Sequence, residues 1–197
     1  MTQAPRSPRA AVFIDKDGTL LDDVPWNVDP HRMRLAPGAL DALRVFASHG
    51  VPLFVISNQS GVALGKFERH ALNQVEARLQ ALAAQAGAAF THIYWCPHHP
   101  RGVVPEYTQS CDCRKPAPGM LLRAAREHGI DLSRSWFVGD ILDDVEAGHR
   151  AGCRSVLIDN GNETEWLRGE GREPDIVVKD MYEAAMAIVA AECLHET

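Results

Sequence analysis

The chain has no long apolar run. The stretch 10–14, behind a polar, proline-containing segment 1–9, is too short for the core of a secretion signal or for a membrane span. No membrane partner is expected, and a cytoplasmic location is. An excess of positive charge is also missing. With 20 Lys and Arg against 26 Asp and Glu, a formal net charge of -6, and the basic residues dispersed among acids, the chain lacks the clustered cations that a phosphate backbone calls for. Nucleic acid is therefore not expected as a partner, and a small molecule is. Cysteine is scarce, with five residues in the chain. Three of them, Cys96, Cys111 and Cys113, fall close together, which points to metal ligation in a reducing compartment rather than a disulfide framework. Cys153 and Cys193 read as ordinary thiols. There is no internal repeat, no low-complexity tract and no composition shift. At 197 residues and 46% hydrophobic, residues 1–197 read as a single domain with one well-filled core over about 10–160, expected to be a monomer.

What the chain does have is alternation of two patterns. Short β-branched and aromatic runs at 10–14, 51–57, 91–95, 135–139 and 155–158 read as buried strands, with 175–178 as an edge strand. Between them, amphipathic stretches at 38–49, 67–86, 118–128, 142–151 and 180–194 read as helices. Glycines follow several of these, and Pro118 opens one. Strand–helix alternation predicts an α/β fold, a three-layer, Rossmann-like parallel sheet with helices on both faces. Residues 96–118, rich in Pro, His and Cys, read as irregular. The four tryptophans, 26, 95, 136 and 166, form no helical stripe. Core packing is the expectation for most of them, with Trp26 placed where it could stack on a substrate.

Polar residues cluster after the strands. Asp15 and Asp17 follow the first, Ser57 and Asn58 the second, and Gly139–Asp140 the fourth, with Asp144 close behind and Lys115 in the irregular segment. Parallel strand ends converge on the crevice where open α/β sheets bind ligands, so these groups can share one pocket. Three carboxylates crowded together repel one another unless a cation sits among them, and an all-oxygen donor set with room for water suits Mg²⁺. A hydroxyl at Ser57 and an ammonium at Lys115 supply what a transferring phosphoryl group needs, a donor and a positive charge facing its oxygens. A nucleotide-binding reading of residues 61–66 (GVALGK) fails, because the run is one residue short of a P-loop and is followed by Phe67 where Ser or Thr should bind the metal.

The run Asp15-Lys16-Asp17-Gly18-Thr19 with Ser57, Lys115 and Gly139-Asp140…Asp144, in this order, resembles the four motifs of the haloacid dehalogenase (HAD) superfamily phosphatases. The resemblance implies a HAD-like fold and an enzyme whose nucleophile is Asp15, which would form an aspartyl-phosphate. It implies that Asp17 is the general acid and then the base that activates water. Mg²⁺ would be held by Asp15, the backbone carbonyl of Asp17, and Asp140, with Asp144 orienting the metal's surroundings or Lys115.

Cys96-x-His98 followed by Cys111-x-Cys113 has the composition of a closed zinc site, a structural staple over residues 96–113 that would fix the loop delivering Lys115. His99 is an alternative to His98 as ligand. These pairs, with Asn58-Gln59-Ser60-Gly61, CPHHP at 96–100 and CDCRKPAPGM at 111–120, resemble the D-glycero-D-manno-heptose 1,7-bisphosphate 7-phosphatase family and its relatives the histidinol-phosphate phosphatases. By that resemblance the substrate is a small phosphorylated sugar, the heptose bisphosphate first and histidinol phosphate or another sugar phosphate second, with no large cap domain. Ser57, Asn58 and Lys115 would bind the phosphate, while Gln59 and Arg114 would contact the substrate. Members of the family often carry His-Gly-Tyr-Val after the first motif, where this chain reads Asp22-Asp23-Val24-Pro25-Trp26-Asn27-Val28-Asp29-Pro30, a departure placed to alter specificity. A different class of reading is a noncatalytic, zinc-stapled interaction module on the same frame.

Overall fold

The structure, a computed structural model, describes residues 9–193. The side chain of Cys193 and the expected helix end at 194 lie outside what is described. Six parallel strands form one sheet in the order β3-β2-β1-β4-β5-β6: β1 Val12–Ile14, β2 Leu53–Asn58, β3 Phe90–Cys96, β4 Trp136–Gly139, β5 Arg154–Ile158 and β6 Ile176–Val178. Five helices complete the layers: α1 Ala39–Ser48, α2 Ala71–Ala84, α3 Gly119–His128, α4 Leu142–Ala151 and α5 Met181–Cys193.

The period-2 alternation of a strand sorts β1 into two cores. Val12 and Ile14 pack with α1, α2 and α5 on one face, while Ala11 and Phe13 pack with α3 and α4 on the other. Helices on both faces bury the sheet twice, which is why its strands read as continuous apolar runs. Amphipathic α1 buries Ala39, Ala42, Leu43 and Phe46, and α3 buries Met120, Leu121 and Ala124 before Gly129 closes it at φ 63°.

Element boundaries lie within two residues of the sequence expectation, except at the start of one helix. Helix α2 begins at Ala71, not at residue 67, because the preceding backbone runs in three-residue turns, with the Ala71, Leu72 and Asn73 N–H groups donating to the Glu68, Arg69 and His70 carbonyls. The tryptophans also divide. Trp136 is buried and Trp95 half-buried, but Trp166 is exposed on the segment after β5 and takes no part in the core.

The strand order reverses between β1 and β4, so their carboxyl ends open a crevice at the switch point of the sheet. Between β1 and α1, and between β2 and α2, the chain makes only loops and short turns, so no large cap covers that crevice among the described residues. Among these residues no helix is long and apolar enough to cross a membrane.

Candidate active site

Strand β1 ends at Ile14, in register with Val138 of β4, and the next residue hangs over the crevice. The Asp15 N–H donates to the Val138 carbonyl at 2.9 Å, which fixes the carboxylate between the two strands. The chain then folds back on itself, with Leu20 and Leu21 N–H groups donating to the Asp15 and Lys16 carbonyls. That turn needs Gly18, whose φ is +79° and whose missing Cβ would lie 2.1 Å from an Asp140 carboxylate oxygen. A second close approach brings in Asp144 from α4: a Cβ at Gly139 would stand 2.2 Å from the Asp144 Cβ.

Lys115 reaches this point from the loop before α3. Its ammonium is buried, ion-paired with Asp15 and 2.6 Å from Asp144 Oδ1, and donates to the Ile56 carbonyl at 3.2 Å. Asn58 aims it, donating from its amide to the Lys115 carbonyl at 3.2 Å and accepting from the Lys115 N–H at 3.0 Å. The Asn58 side chain therefore acts on the lysine's main chain.

Asp15, Asp140 and Asp144 bring carboxylate oxygens within 4.8 Å of one another, all three buried. One buried ammonium faces them, which leaves negative charge uncompensated. Burial pushes the Asp15 carboxyl up to about 7, Asp144 and Asp17 adding to the rise and Lys115 opposing it. Asp140 is pushed up to about 7 by burial and then by Asp15, against the hydrogen bonds it receives from Asn162 and Thr19. Burial also raises Asp144. For Lys115, burial works to lower the ammonium's pKa, but Asp144 and Asp15 outweigh it and hold the pKa above its ordinary value. Three buried carboxylates with an excess negative charge fit a hard divalent cation.

Asp17, two residues on, points elsewhere. Its carboxylate pairs with Lys16 and accepts from Gln59 Nε2 at 3.1 Å, and it lines a cavity of about 290 Å³ walled on one side by Asp23 to Asn27 and on the other by Asn58 to Gly61. Gln59 also donates to Ser57 Oγ at 2.9 Å, tying the second motif to the first. Arg114 donates to Oγ of Ser60, one of the residues of this wall, at 2.8 Å. Trp26, at φ 56° and half-exposed, lines the cavity as well.

Sixteen residues of loop separate the ends of the sulfur cluster, and the fold closes it. Cys96 Sγ at the end of β3 lies 3.6 Å from Cys111 Sγ and 3.0 Å from Cys113 Sγ, with Cys113 3.2 Å from Cys111 and His98 Nδ1 3.3 Å from Cys113. These sulfurs are free, not bridged. A tetrahedral zinc with Zn–S of about 2.3 Å separates its ligands by roughly 3.8 Å, close to the spacings here, so the donor set fits that ion. His98 belongs to the cluster, whereas the His99 ring accepts from the Arg101 N–H at 3.1 Å.

Sequence reasoning missed three contributors. Lys16, to which the sequence reading gave no role, is buried and pairs with Asp17. Asn160 and Asn162, after β5, went unnoticed in the sequence, yet Asn160 Nδ2 donates to the Gly18 carbonyl and Asn162 Nδ2 to Asp140 Oδ2, each at 2.7 Å. Their one legible signal is position, immediately after a strand that ends beside the crevice.

Residues 112–184 match the family of HAD-hydrolase-like proteins. Across 91% of its length the chain is 33% identical to a D-glycero-beta-D-manno-heptose-1,7-bisphosphate 7-phosphatase of Yersinia pestis, covering 95% of that protein. Across 77% of its length it is 39% identical to the enzyme of the same name from Escherichia coli K12, covering 80% of it. Among solved structures it is similar to a D,D-heptose 1,7-bisphosphate phosphatase from B. bronchiseptica, complexed with magnesium and phosphate: TM-score 0.79 and 30% identity, covering 92% of this chain and 99% of that one.

Proposed function

We propose, because the chain belongs to the D-glycero-beta-D-manno-heptose-1,7-bisphosphate 7-phosphatase family, that its crevice hydrolyses the 7-phosphate ester of D-glycero-D-manno-heptose 1,7-bisphosphate. The chain is a HAD-like phosphatase. The observation that carries the reading of the site is the buried Lys115 ammonium bridging Asp15 and Asp144 at the sheet's switch point, with Asp17 facing the cavity beside it.

In this reading an Asp15 carboxylate oxygen attacks the phosphorus in line with the departing sugar oxygen. The P–O bond to the sugar breaks, an aspartyl-phosphate forms, and Asp17 delivers a proton to the leaving alkoxide. Water then attacks the phosphorus, Asp17 takes its proton back, and Asp15 is released with inorganic phosphate. Asp17 suits both roles because it alone of the four aspartates lines the open cavity. Lys115 offsets the negative charge of the three equatorial oxygens, and Ser57 and Gln59 hold the position of Asp17. Mg²⁺, held by Asp15, Asp140 and the Asp17 carbonyl, would neutralise the phosphoryl charge that opposes attack by a carboxylate. Asp144 keeps Lys115 in place. Cys96, His98, Cys111 and Cys113 would hold a zinc that staples the loop carrying Arg114 and Lys115, a structural ion that would supply no chemistry. Arg114, with its planar fork, suits the phosphate at C1.

A phosphate-release assay with Mg²⁺ tests the assignment, comparing both anomers of the heptose bisphosphate, histidinol phosphate and common sugar monophosphates. Preference for a heptose bisphosphate, measured as kcat/KM, supports it, and preference for histidinol phosphate overturns the substrate while keeping the chemistry.

A further inference from the structure

Between β5 and β6 the chain forms an irregular strap, and its first turn meets the acid cluster. Asn160 uses both ends of its amide: Nδ2 donates to the Gly18 carbonyl at 2.7 Å, and Oδ1 accepts from the Asn162 N–H at 3.1 Å. This sets the Asn162 side chain against Gly18, where a Cβ would lie 2.4 Å from Asn162 Nδ2. From there Asn162 donates to Asp140 Oδ2 at 2.7 Å, while Thr19 donates to Asp140 Oδ1 at 3.1 Å. The two oxygens of one carboxylate are thus held from opposite ends, by residues whose positions are both fixed by the first motif. The strap is anchored further along. Glu163 accepts from the Leu142 N–H at the start of α4 at 2.7 Å, and Arg172 pairs with Asp143 at 3.0 Å and with Glu146.

We propose that Asn162 is a positioning residue for metal binding: its amide fixes the orientation in which Asp140 presents itself to the divalent cation, and Asn160 fixes Asn162. The inference rests on the reading of Asp140 as a magnesium ligand. An aspartate has two torsions to settle before it can coordinate, and a donor on each oxygen settles both in advance. Each carboxylate oxygen retains a lone pair for the metal after accepting one hydrogen bond. Partners that orient a ligating carboxylate typically account for 10- to 100-fold in metal affinity or activity when removed. Because Asn162 is exposed and its loss opens no cavity, the fold tolerates its truncation.

The test is Asn162→Ala, with Mg²⁺ binding followed by calorimetry on substrate-free protein and phosphate release titrated with Mg²⁺. The expected result is a Mg²⁺ dissociation constant about tenfold weaker, with kcat at saturating Mg²⁺ and the substrate KM changed less than about threefold. Unchanged Mg²⁺ affinity overturns the proposal. So does tighter binding, which would mean that the amide occupies the cation's own place. Asp140→Asn separates this failure from that of the underlying reading. If Asp140→Asn loses Mg²⁺ binding while Asn162→Ala keeps it, only the role of Asn162 falls. If Asp140→Asn binds Mg²⁺ like the wild type, the ligand assignment itself falls.

Discussion

Replacing Lys115 with Met keeps an unbranched side chain, one atom shorter, and removes the ammonium with its charge and donors. In the folded protein that charge is buried, paired with Asp15, 2.6 Å from Asp144, and donating to the Ile56 carbonyl. Breaking a buried pair by removing one partner costs about 3–5 kcal/mol, because the charge left behind has neither water nor counter-ion. Here the carboxylates have an escape, since they can take up protons. Asp15 already sits at about 7 through burial, and Lys115 is what opposes a further rise, so without it the carboxyl moves higher still. The folded state then binds more protons than the unfolded chain from about pH 4, the ordinary carboxylate value, up to the raised native value. Across that window stability falls as pH rises. In the wild type the window closes near the Asp15 value of about 7, and in Lys115→Met it extends above it. The deficit of the variant is therefore small near pH 6 and grows to about 3–5 kcal/mol by pH 8.5. Urea unfolding of both proteins at the two pH values, without Mg²⁺, reads this directly. Equal stability at the higher pH, or a deficit independent of pH, would refute the reasoning. Turnover should fall at least 10²–10³-fold, the scale of losing a group that faces transition-state charge.

Asp15→Asn should abolish phosphate release while leaving the thermal unfolding midpoint at or above that of the wild type, since a buried carboxylate with a raised pKa is replaced by a neutral amide. Asp17→Asn should slow hydrolysis of a sugar phosphate by about 10²–10⁴-fold, and less for an aryl phosphate whose leaving group needs no proton, as a comparison of the two substrates would show. Gly139→Ala places a Cβ 2.2 Å from the Asp144 Cβ, and overpacking there should cost about 1–3 kcal/mol and loosen Lys115, read as paired losses in unfolding midpoint and kcat. Cys113→Ser should remove bound zinc on metal analysis and raise the substrate KM, because Arg114 and Lys115 follow directly in the chain; retained zinc or an unchanged KM would count against the staple.

The layered sheet was legible because burial on both faces leaves unbroken apolar runs such as 53–56, and because Gly129 and Gly152 punctuate helices at positive φ. The start of α2 was not, since nothing in the residues 67–70 distinguishes a tight three-residue turn from the first turn of a helix. At the site, residues that follow strands were found because topology alone brings strand ends together. Asn162 and Lys16 were not found. The amide of Asn162 meets Asp140 only because Gly18 leaves room, a close approach between parts of the chain far apart in sequence. Lys16 is buried against expectation for a lysine between two aspartates, and only the backward fold of 15–21 turns its ammonium onto Asp17. Of the two adjacent histidines, the ring of His98, the expected ligand, faces the sulfurs, while His99 accepts from the Arg101 N–H.

The nucleophile can be identified by rapid acid quench. Wild-type protein with Mg²⁺ and substrate labelled with radioactive phosphate at C7, denatured within the first turnover, should carry the label as a hydroxylamine-labile acyl phosphate on the peptide containing Asp15, and Asp15→Asn should carry none. Label on another residue, or no protein-bound label while phosphate is being released, would contradict attack by Asp15.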